Sequence, residues 1–123
     1  MDERTRETRL ALETLKHELH ETARSKGWWT DENGNYTPEV FNKGEKIALM
    51  HSELSEALEA VRVGHPLPDK HCPEFSNEAV ELADCVIRIM DYAAAYEVNL
   101  IGAIFAKNEA NKQRPRKHGG KAF

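Results

Sequence analysis

The five prolines of this 123-residue chain stand at positions 38, 66, 68, 73 and 115, and their placement constrains the fold more than any other feature. Proline lacks a backbone donor and clashes with the preceding helical turn, so helix interiors exclude it. The segments between are charged and show no period-two alternation, which leaves four helices and no strand. The first is expected from about Asp2 to Arg24, with Leu12, Leu15 and Leu19 on one side. "SKGWWTDENGNYTPEV" then breaks the pattern with glycines, a proline and turn-forming Asp and Asn. A second helix starts at Asn42, with Glu45 completing a capping pair, and continues to about Val63. "GHPLPDKHCPEF" is a loop. The third helix begins near Ser76 or Asn77 and reaches about Tyr96, and the fourth follows the N-cap residue Asn99 and ends at Arg114 before Pro115. The expected organisation is one all-α domain over 1–123, with a loose basic tail from about 115.

With 40% hydrophobic and 31% charged residues, the chain suits a water-soluble fold. No apolar run approaches the roughly 18 residues that would span a bilayer, so no membrane partner is expected. "MDERTRETRL" is unlike a signal peptide, and the expected location is the cytoplasm. Cys72 and Cys85 form no close pair, and a reducing compartment argues against a disulfide. The formal net charge of -4 weighs against stable nucleic-acid binding. The charge is unevenly spread. From Lys107 onward the chain carries Lys107, Lys112, Arg114, Arg116, Lys117 and Lys121 against the single acid Glu109, while its middle is acid-rich.

Each residue turns a helix by about 100°. On the second helix Glu53 is flanked on one side by Met50, Ala57, Leu54, Ile47, Leu58 and Val61, at about +40° to +140°, and on the other by Leu49 and Ala60. Glu56 lies at about -60° from Glu53, and Glu59 points to solvent. The third helix repeats the arrangement with Glu81 at the edge of a broad apolar arc and Asp84 about -60° away. Two helices thus each offer a carboxylate pair at i, i+3, and side-by-side packing would bring four carboxylates together. Such a group repels itself unless a cation compensates, and oxygen ligands suit Mg²⁺ or Mn²⁺ better than zinc. A solvated face, with Arg88 pairing to Asp84 four residues earlier, accounts for the periodicity equally well. The fourth helix favours a site: Lys107, Asn111 and Arg114 follow Leu100 and Ile104 on one face, a cationic set that suits a polyphosphate.

"ELSE" (Glu53, Glu56), "ELAD" (Glu81, Asp84), "KNEANKQR" (Lys107, Asn111, Arg114) and the ending "RPRKHGG" resemble the MazG-like all-α nucleoside triphosphate pyrophosphatases, over about Asn42 to Gly120. The resemblance implies a four-helix bundle that assembles as a homodimer or homotetramer. The apolar surface of the third helix agrees, since Ala83, Ile87 and Ala94 extend it beyond the stripe that one bundle needs. It implies Mg²⁺-dependent hydrolysis of a nucleoside triphosphate, expected to be a deoxynucleotide, to the monophosphate and pyrophosphate. Glu53, Glu56, Glu81 and Asp84 would hold the metal, and one carboxylate, not assigned, would take a proton from water. Lys107 and Arg114 would stabilise the leaving group with Asn111 as donor, and Arg116, Lys117 and Lys121 would close over the phosphates. Trp28, Trp29 and Tyr36 are candidates to stack on the base, although at least one tryptophan is expected to plug the end of the bundle. His17, His20 and His71 lack zinc-site spacing and are expected at the surface or in loops, while Cys85 belongs to the core. Two other readings stand beside this one: a phosphoribosyl-ATP-type pyrophosphohydrolase on the same fold, and a non-catalytic helical oligomer acting as a binding or regulatory module.

Overall fold

The computed structural model describes residues 1–64 and 67–115. Among them the chain is all-α, with helices α1 (Glu3–Ser25), α2 (Lys43–Val63), α3 (Asn77–Ala95) and α4 (Leu100–Lys112) and a 3₁₀ turn at Pro38–Val40. The described residues contain no strand beyond the isolated bridges Thr30 to Tyr36 and Pro68 to Ser76. No single described helix is long and apolar enough to cross a membrane. The expected boundaries hold to within about two residues. The difference with a consequence is at α4, which stops at Lys112 and leaves Arg114 outside the helix.

Helix starts follow local chemistry. Four short polar side chains take up otherwise orphaned backbone N–H groups. Asp2 accepts from Thr5 N at 2.8 Å, Asn42 from Glu45 N at 3.0 Å, Ser76 from Ala79 N at 3.1 Å and Asn99 from Gly102 N at 3.1 Å. A Cβ on Gly102 would stand 2.6 Å from Asn99 Oδ1, so glycine keeps that cap open. α2 ends at Gly64, whose φ of 83° is one that side-chain-bearing residues rarely adopt.

Two compact units emerge, Met1–Thr14 with Asn99–Phe123, and Leu15–Val98. In the first, Arg9 lies over the Phe105 ring at 5.4 Å and Ile101 is fully buried. The second contains the latter half of α1, both long loops and the α2–α3 pair, whose helices pack along each other.

The buried side of α2 is narrower than its apolar arc. Glu53, Ala57 and Ala60 are buried, whereas Ile47, Leu54, Leu58 and Val61 are exposed. Small residues let α3 approach closely, and the large aliphatics beside them are left outside. α3 behaves likewise: Cys85, Met90 and Ala93 are buried, while Leu82, Val86 and Ile87 are exposed. On α1, Leu15 is also exposed, and the buried residues are Lys16 and His20.

Candidate metal and ligand site

Three of the four expected carboxylates meet. One oxygen each from Glu53, Glu81 and Asp84 lies within 4.8 Å of the other two. Glu56 is exposed and outside that trio, although close enough to act on the ionisation of Glu53 and Glu81. Glu53 comes from α2 and the other two from α3, so the trio forms only because the helices pack as they do.

The electrostatics are those of a crowded acid site. Burial tends to raise the Glu53 pKa, but hydrogen bonds from Arg88 and Glu81 and the Arg88 charge outweigh it and hold Glu53 below the usual carboxylate range. For Glu81, burial, shared hydrogen bonds with Glu56 and Glu53, and their negative charge all act together, and its pKa is pushed up to about 8. Asp84 is raised by burial and by the charge of Glu53, against the pull of Arg88. Glu81 Oε2 is buried and, as a carboxylate oxygen, meets no donor. A buried acceptor left unmatched is costly, so this position calls for a proton or a cation.

The residues fit a hard divalent ion. Oxygens bound to one Mg²⁺ stand about 3 to 4 Å apart, so small side-chain rotations would bring the trio into range. Thiol and imidazole ligands are absent from the group, as an oxygen-preferring ion requires.

Glu53 and Asp84 also form part of the wall of a cleft of about 350 Å³. Its other walls include Leu19, Trp28, Ile87 and Tyr92, with Lys26, Lys46 and Arg88 as cations. That mixture of flat apolar surface and a few charged groups is usual for small-molecule sites. Lys46 Nζ lies over the Trp29 and Phe41 rings at 4.4 and 4.7 Å, and burial lowers its pKa, with Asp91 opposing.

The three aromatic candidates separate. Trp28 is exposed and lines the cleft. Trp29 is 2% exposed, and its indole N–H lies 2.9 Å from both oxygens of Asp91, so only part of its ring contributes to the cleft wall. Tyr36 does not line the cleft: its hydroxyl lies 2.9 Å from His20 Nε2 and its ring lies under Arg24.

Two expectations need correction. His20 is buried, not at the surface; its Nδ1 stands 2.7 Å from Asp91 Oδ1. Since a carboxylate only accepts, the tautomer with its proton on Nδ1 satisfies Asp91 and leaves Nε2 to accept from Tyr36. Desolvation raises the Tyr36 pKa, so its hydroxyl stays protonated and can donate to His20. Arg88 does not pair with Asp84 four residues before it. Its Nε donates to Glu53 Oε1 across the helix pair at 2.9 Å. The partners of His20, Asp91 and Arg88 are distant in sequence, and no local spacing signals such contacts.

Lys107, Asn111 and Arg114 belong to the first unit and are exposed. The fully buried residue of α4 is Ile101, so the Leu100–Ile104–Lys107–Asn111 face is not the buried one that its spacing predicts. Arg116 and Lys117, with Lys121, lie outside the described residues.

No family model, curated protein or solved structure matches the chain.

Proposed function

We propose that the chain is a Mg²⁺-dependent hydrolase that converts a nucleoside triphosphate to its monophosphate and pyrophosphate. The observation that carries the reading is the convergence of one oxygen each from Glu53, Glu81 and Asp84 within 4.8 Å of one another. A bound Mg²⁺ would supply charge neutralisation at the phosphate oxygens and an acidified water.

The chain's own residues do the rest. Glu53, Glu81 and Asp84 hold the cation, and Glu56 adds negative charge from the rim. Trp28 offers a flat face for a base in the cleft that Glu53 and Asp84 also line. Lys46 and Arg88 supply positive charge for phosphate oxygens in the same cleft. The apolar residues exposed on α2 support assembly as a homo-oligomer.

The test is pyrophosphate release from a panel of canonical and modified nucleoside triphosphates and phosphoribosyl-ATP with Mg²⁺. One substrate class should react, and Glu53→Gln and Asp84→Asn should each lower kcat/KM by about 10²-fold or more, the scale of a lost electrostatic group in a transition state. Turnover unaffected by either substitution would refute the assignment.

A further inference from the structure

Arg88 is a lightly held partner for a buried carboxylate. Arginine and carboxylate are frequently joined by two parallel N–H bonds. Arg88 donates a single hydrogen bond among the described residues, from Nε to Glu53 Oε1. Its side chain is 38% exposed against 11% for Glu53, and it lines the cleft. Glu53 in turn belongs to the trio with Glu81 and Asp84. One acid therefore pairs with a guanidinium held by one bond while also facing the two other carboxylates of the trio.

We propose that Arg88 is a displaceable counter-ion: it holds Glu53 until a divalent cation takes that carboxylate, and then turns into the cleft. This inference rests on the metal reading above and adds an exchange to it. Arg88 keeps Glu53 charged and correctly placed, which a buried lone carboxylate could not sustain. Its retention weakens cation binding. Its release leaves a planar, always-charged donor set facing the cleft, ready for the anionic group that arrives with the cation.

The experiment is a Mg²⁺ titration of the ¹⁵N-labelled full chain, following backbone amides and arginine Nε–H signals, with Arg88 assigned through Arg88→Lys. The α2 and α3 amides around Glu53 and Asp84 should shift, and over the same concentrations the Arg88 Nε–H signal should move toward those of solvent-exposed arginines. Arg88→Gln should bind Mg²⁺ about tenfold more tightly, the scale of repulsion between a unit charge and a divalent ion several ångströms apart in a water-like dielectric. Amide shifts with an unmoved Arg88 signal overturn the exchange and leave the metal site standing. Unchanged or weaker Mg²⁺ binding by a folded Arg88→Gln chain does the same. An absence of any amide response removes the metal site and the exchange together.

Discussion

Glu81 carries the sharpest consequence at the scale of single residues. Its pKa of about 8 lies well above its ordinary value of 4.5, so between those limits the folded chain keeps a proton that the unfolded chain has lost. Stability falls with rising pH wherever the folded state binds more protons. In EDTA the melting temperature should therefore decline from about pH 5 to about pH 8, and Glu81→Gln should flatten that decline. The raised Asp84 acts in the same direction near the acid end. The lowered Glu53 has the opposite sign, its contribution being lost only as pH drops through its depressed pKa, below the ordinary 4.5 and thus below this window. An equally steep melting profile in Glu81→Gln would mean that the proton is held elsewhere. The inward placement of Glu53 was legible from its apolar neighbours one turn away. Its partner was not: Arg88 lies 35 positions on, and only the packing of α2 on α3 chooses Glu53 over the sequence-local Asp84.

At the scale of elements, the loop between α1 and α2 is held by Trp29. Its indole N–H contacts both Asp91 oxygens, its ring meets the edges of Phe41 and Tyr96, and its carbonyl accepts from Thr37 N at 2.9 Å. Removing the N–H leaves Asp91 with His20 as its remaining side-chain donor. Trp29→Phe should cost about 2 to 3 kcal/mol by urea unfolding, from lost volume and a lost donor. Trp28→Phe should stay within about 0.5 kcal/mol of the parent, as exposed substitutions usually do. Similar costs for both would show that the loop is not anchored through the indole of Trp29. Helix starts were readable because a cap is a contact over three residues, as at Asn42, Ser76 and Asn99. The buried side of α2 was not, since Ala57 and Leu58 are equally apolar in sequence. Close approach to α3 selects the smaller residue.

For the whole molecule, the exposed aliphatics are the outstanding fact. Ile47, Leu54, Leu58 and Val61 recur at spacings of seven, four and three along α2, a continuous seam of the kind that pairs helices. The proposed homo-oligomer uses this seam, so Leu58→Glu should reduce the mass measured by light scattering to that of a smaller species. An unchanged oligomer would place the contact on another face, and a monomeric parent chain would end the oligomer proposal. All-α architecture could be read from the proline positions together with the lack of period-two alternation between them. The destination of the α4 cations could not, because spacing assigns residues to a face without saying which face is buried, and here Ile101 takes the interior.

The adjacent indoles at positions 28 and 29 have a practical use that follows from their different burial. One is largely in water at the cleft and the other is sealed against a carboxylate. Their fluorescence should divide into a red, easily quenched component and a blue, shielded one, and these are the chain's only tryptophans. A ligand entering the cleft would alter the first, while loosening of the loop anchor would alter the second. The unlabelled protein thus carries separate optical reporters for occupancy and for unfolding, one residue apart.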